Sequence, residues 1–151
     1  MNDRSVEILL VEDNPNDVEL ALHAFHVNHL SNSVHIARDG EEALEFIFCT
    51  GGYSNRRIDD APKLILLDLK LPKVDGLEVL RCIKADPRTH NIPVVALTSS
   101  SEQCDISECY QLGVNSYIVK PVDFIQFTES MRALGMYWLV LNQPPTWRRQ
   151  D

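Results

Sequence analysis

Apolar residues gather into five short runs along the chain, and the stretches between them repeat apolar positions at helical spacing. Val6-Glu7-Ile8-Leu9-Leu10-Val11 is the first run and Val34-His35-Ile36-Ala37 the second. Leu64-Ile65-Leu66-Leu67 is the third, and its unbroken aliphatic character predicts a strand buried on both faces. Ile92-Pro93-Val94-Val95-Ala96-Leu97 and Ser116-Tyr117-Ile118-Val119 complete the set. Between them the periodicity predicts helices from Asn14-Pro15 to about His29, from Glu41 to Cys49 and from Asp75-Gly76 to Asp86-Pro87. A weaker helix follows from Glu102 to Leu112, closed by Gly113, and a last one from Asp123 to Tyr137. Thr50 to Pro62 reads as a polar loop, long for a helix-to-strand connection.

Strict alternation of strands and helices implies parallel pairing through right-handed crossovers. The expected fold is therefore α/β: one doubly wound, five-stranded parallel sheet with five helices, flavodoxin-like, in the order 2-1-3-4-5. Residues 1–137 form one domain in this reading, and residues 138–151 a tail used for packing or as a dimer extension.

Composition narrows the function. A length of 151 residues, with 44% hydrophobic and 24% charged positions, suits one globular domain. A net charge of −8 leaves no basic face for phosphates, which argues against nucleic acid as the main partner. No signal-like start and no membrane-length apolar run occur, so a cytoplasmic location is expected. The four cysteines, Cys49, Cys82, Cys104 and Cys109, make no CxxC pair and are read as reduced residues within helices. The five histidines have no metal-ligand spacing.

Chemistry concentrates at the strand ends. The first strand ends in Glu12-Asp13, the third in Asp68, the fourth in Thr98 and the fifth in Lys120. Parallel strands present their carboxyl ends along one edge, so these residues are expected to meet. Alone, Asp68 could be a residue capping a turn. Three crowded carboxylates repel unless a cation joins them, and a hard divalent ion such as Mg²⁺ fits that donor set. A carboxylate can also attack phosphorus to form an acyl phosphate.

Glu12-Asp13, Asp68 ahead of Leu71-Pro72 and Asp75-Gly76, Thr98-Ser99 and Lys120-Pro121 together resemble the receiver domain of two-component response regulators, over about residues 5 to 137. The resemblance implies a switch that takes a phosphoryl group from a histidine kinase onto Asp68. Asp13 would bind Mg²⁺ directly, Glu12 mainly through water, and Asp68 and the Lys70 carbonyl would be further ligands. Thr98 and Lys120 would hold the phosphoryl group, Thr98 and Tyr117 would form the switch pair, and the Lys120–Pro121 bond would be cis. Output would pass through the face of the fourth helix, fifth strand and fifth helix. The Gly51-Gly52-Tyr53 loop and the Tyr137-Trp138-Leu139 ending further resemble stand-alone regulators partnered with bacterial phytochromes, which are often homodimers. Trp138 to Leu141 is accordingly read as an association surface, and Arg148-Arg149 as a solvated tail.

Two other readings remain. A Mg²⁺-dependent phosphohydrolase commonly places a second acid two residues after the nucleophile, where this chain has Lys70. A phosphorylation-independent scaffold would have no need of the acid, threonine and lysine set.

Overall fold

A computed structural model describes residues 6–29, 33–99, 102–120, 123–143 and 145. Five parallel strands, β1 (Ile8–Val11), β2 (Val34–Ala37), β3 (Leu64–Leu67), β4 (Val94–Thr98) and β5 (Ser116–Val119), form one sheet in the order β2-β1-β3-β4-β5. The helices are α1 (Pro15–Val27), α2 (Gly40–Phe48), α3 (Gly76–Ala85), α4 (Gln103–Leu112) and α5 (Phe124–Gly135). The flavodoxin-like α/β expectation holds, strand order included.

Alternation along the strands divides the core in two. Leu9, Val11, Ile65, Leu67, Val94 and Ala96 point to the face covered by α2, α3 and α4. Ile8, Leu10, Leu64, Leu66, Val95 and Leu97 point to the other, covered by α1 and α5. Every residue of β3 is buried, as an aliphatic strand clad on both faces requires.

Helix starts follow local chemistry. The Asn14 side chain accepts from the amides of Asn16 (2.9 Å) and Asp17 (3.3 Å), and Pro15 occupies the first helical position. Asp39 Oδ1 accepts from the Glu42 amide at 2.7 Å to start α2. Gly76 is required by close approach, because an added Cβ would sit 2.4 Å from the Asp68 carbonyl oxygen.

Several expectations change in detail. β4 starts at Val94, after Pro93, whose ring removes a donor, and it runs on to include Thr98. Cys49 caps α2 in the left-handed region (φ 59°) instead of lying inside the helix. The 50–62 loop contains a 3₁₀ turn, Gly51–Tyr53, and is pinned to α2 and β2. Tyr53 donates to Glu42 Oε2 at 2.6 Å and bonds His35 Nε2 at 3.0 Å, while the Arg56 guanidinium lies 3.7 Å over the Phe46 ring. Polar tips with apolar bodies thus anchor, at Tyr53 and Arg56, a largely exposed stretch that composition alone describes as loop.

The last helix gives way at Gly135 to a π-helical segment, Met136–Leu141. The wider turn divides the apolar run. Trp138 and Leu139 pack on the α1/α5 core, whereas Val140 and Leu141 are each 62% exposed. Of the run read as packing or a dimer extension, Trp138 and Leu139 pack and Val140 and Leu141 stay exposed. Arg148 and Arg149 lie outside the described residues. No helix among the described residues is long and apolar enough to cross a membrane.

Candidate functional site

Strand register assembles the site. Val11 pairs with Leu67, so Glu12 and Asp68 leave adjacent strands side by side, and the Asp68 amide donates to the Val11 carbonyl at 3.1 Å. Thr98 pairs with Val119, and the Lys120 amide donates to the Thr98 carbonyl at 2.7 Å. Residues more than one hundred positions apart meet because the strands are parallel and in register.

Carboxylate oxygens of Glu12, Asp13 and Asp68 lie within 4.8 Å of one another. Glu12 and Asp68 are buried and Asp13 is exposed, so the cluster has a dry floor and an open mouth. Asp68 Oδ1 accepts from the Lys70 amide at 3.3 Å. The Lys120 ammonium enters from the β5 side and donates to Glu12 Oε1 (2.7 Å), Asp17 Oδ2 (2.7 Å) and Asp68 Oδ2 (3.3 Å). Thr98, at the end of β4, is 1% exposed.

Electrostatics follow from this crowding. Burial pushes the Glu12 carboxyl up to about 7, with the Asp68 charge adding to the rise and Lys120 opposing it. Burial disfavours the Lys120 ammonium, but its hydrogen bonds to Asp17 and Glu12 and the charge of Asp68 outweigh that and hold its pKa above the ordinary lysine value. Four carboxylates face one ammonium, so the pocket is strongly anionic when all are ionised. Three close, hard oxygen donors with an open side suit a divalent cation such as Mg²⁺ or Mn²⁺ better than a soft metal.

The structure brings Glu12, Asp13, Asp68 and Lys120 together, and Thr98 adjoins them through its backbone bond to Lys120. Tyr117 lies off this cluster, half-buried against the core beneath α2, α3 and α4. Pro121 is outside the described residues, so the cis Lys120–Pro121 expectation falls there. Asp17 was not foreseen as part of the site. Its sequence position marks it only as an acid in the first turn of α1, and its tie to the site is the 2.7 Å bond it accepts from Lys120.

Residues 8–132 match the family described as "Response regulator receiver domain". The chain belongs to that family. Response regulator Rcp1 of Synechocystis sp. (strain ATCC 27184 / PCC 6803 / Kazusa) is 39% identical over 132 residues, covering 87% of this chain and 88% of Rcp1. A solved Mn²⁺-bound form of Rcp1 superposes with a TM-score of 0.84 over 93% of this chain and 99% of that one, at 37% identity. The phosphorylated cyanobacterial phytochrome response regulator RcpA gives a TM-score of 0.86 at 39% identity, covering 95% of this chain and all of its own. The bacteriophytochrome response regulator AtBRR is 51% identical, with a TM-score of 0.73 and coverage of 93% and 100%. This chain is thus a receiver, the fold and signalling class that its strand-end residues implied.

Proposed function

We propose that this receiver accepts a phosphoryl group on Asp68 from a sensor histidine kinase, in a Mg²⁺-dependent reaction. The observation that carries the reading is the Asp68 carboxylate: buried, fixed at one oxygen by the Lys70 amide, paired at the other with Lys120, and clustered with Glu12 and Asp13. In the transfer, the P–N bond of a phosphohistidine breaks as a P–O bond forms to Asp68, and the imidazole leaves and regains a proton from water. A bound Mg²⁺ supplies charge neutralisation for the phosphoryl oxygens. Glu12, Asp13, Asp68 and the Lys70 carbonyl are the groups to hold it, with Glu12 acting mainly through water. Lys120 provides a point charge on the phosphoryl oxygens and Thr98 a hydroxyl donor.

The protein is a switch in this reading, catalysing only its own phosphorylation and dephosphorylation. Thr98 moves toward the phosphoryl group, Tyr117 turns into the space vacated, and the α4-β5-α5 face shifts between two states. The similarity to the phytochrome response regulators RcpA and AtBRR supports a kinase of the bacterial-phytochrome class. Residues 1–137 are the receiver unit, acting in the cytoplasm through protein contacts and not on nucleic acid. Residues 138–151 extend it, and the exposed Tyr137, Val140 and Leu141 support a homodimer.

Incubation with a small phosphodonor and Mg²⁺, followed by intact mass, tests the acceptor. Wild type gains one phosphoryl group and Asp68→Asn gains none; no gain by wild type, where another receiver is labelled, defeats the reading. Sedimentation with and without a phosphoryl mimic tests the dimer, which fails if the chain stays monomeric in both.

A further inference from the structure

The Lys120 ammonium has three N–H donors, and all three are taken. Two acceptors, Glu12 and Asp68, belong to the acid cluster; the third, Asp17 on α1, stands outside it. Asp17 makes the shorter bond, 2.7 Å against 3.3 Å for Asp68, and is 31% exposed where Lys120 is 13% exposed. Resting on the phosphoacceptor reading above, we propose that Asp17 is a positioning residue, a counter-anion that competes with the phosphoryl group for Lys120 and so sets how firmly that group is held.

A phosphoryl group on Asp68 brings three anionic oxygens to an ammonium with no free donor, so one existing acceptor must yield. A divalent cation would draw Glu12 and Asp68 toward itself, and Asp17 is then the acceptor that still holds the ammonium and competes with the phosphoryl oxygens for it. The pair is partly solvated, so the competition is moderate: on the order of three- to ten-fold in phosphoryl-mimic affinity. Asp17, four residues past Asp13, reaches the site because α1 begins at Pro15, soon after β1 ends at Val11. A purely structural role as a first-turn acid opposite the helix dipole would alter melting temperature and leave ligand affinity alone.

Beryllofluoride titrated by calorimetry into the full chain at saturating Mg²⁺ separates these roles. Asp17→Asn should bind roughly three- to ten-fold tighter than wild type. Asp17→Glu, which restores the anion, and Glu19→Gln, which removes an exposed charge from the same helix, should stay within about two-fold of wild type. Asp17→Ser gives the same reading should Asn disturb the helix. Unchanged or weaker binding by the neutral Asp17 variants overturns the inference, as does an equal gain in Glu19→Gln, which would make it a general field effect. If wild type itself fails to bind beryllofluoride, the phosphoacceptor reading falls and the inference falls with it.

Discussion

Lys120→Met isolates what the ammonium does for the metal-free protein. The methionine fills most of the lysine stem's volume and removes only the charge and the donors. Three ion pairs are lost, two of them to carboxylates whose side chains are 4% and 10% exposed. Breaking a buried pair from one side costs roughly 3–5 kcal/mol, because the partner is left as an uncompensated charge. Glu12 limits that loss, since its pKa of about 7 lets it take up a proton in mildly acidic solution. The expected destabilisation is therefore about 3 kcal/mol at pH 8 and visibly less at pH 6. For a chain of this size, 3 kcal/mol corresponds to a melting temperature about 6–12 °C lower. The assay is urea denaturation in a chelator at both pH values, repeated with excess Mg²⁺. Added Mg²⁺ should restore more stability to the variant than to wild type, because the cation takes over charge neutralisation that wild type already has. A variant within about 0.5 kcal/mol of wild type at pH 8, a change typical of surface positions, would refute the idea that Lys120 balances the acid cluster.

Glu12→Gln tests the raised carboxyl from the other side. The folded-state pKa near 7 exceeds the ordinary glutamate value of 4.5, so the folded chain binds more protons between those values and Glu12 makes stability fall as pH rises through that window. The metal-free variant should lose that slope, on the order of 2 kcal/mol, in denaturation curves from pH 5 to 8; an unchanged slope counts against it. Gly76→Ala should cost about 2 kcal/mol or more and slow phosphorylation, because the new methyl meets the Asp68 carbonyl at 2.4 Å and the Leu69 Cα at 2.5 Å. Wild-type melting together with a wild-type labelling rate would show that the backbone has room. Lys84→Met should cost about 2 kcal/mol, since the ammonium donates to the His90 carbonyl (3.0 Å), the Ile92 carbonyl (2.8 Å) and Asn115 Oδ1 (3.0 Å), tying α3 to the segments that lead into β4 and β5. Equal melting temperatures would mean that water replaces those bonds without loss.

The sheet was legible because its strands are short, aliphatic and separated by helical periodicity, so element type follows from local pattern. The strand ends were legible for the same reason: an acid, a threonine or a lysine closing an apolar run is visible in one dimension, and parallel pairing brings such ends to one edge. Helix boundaries were less so. The π turn at Met136–Leu141 has no local signature in the apolar run, and only packing on the core distinguishes Trp138 from the exposed Val140. The 50–62 loop reads as polar because Tyr53 and Arg56 carry their polar atoms at the tips of apolar bodies, and only their meeting with His35, Glu42 and Phe46 from β2 and α2 pins the stretch. Asp17 is the clearest case. The sequence marks it as an ordinary first-turn acid, and nothing local distinguishes it from Glu19 two residues on. Its role depends on the angle at which α1 leaves β1 and on the reach of Lys120 from the far side of the sheet. Which residues carry the chemistry was thus set by local sequence at the strand ends; which of them share one proton-rich ammonium was set by distances between elements that no local pattern encodes.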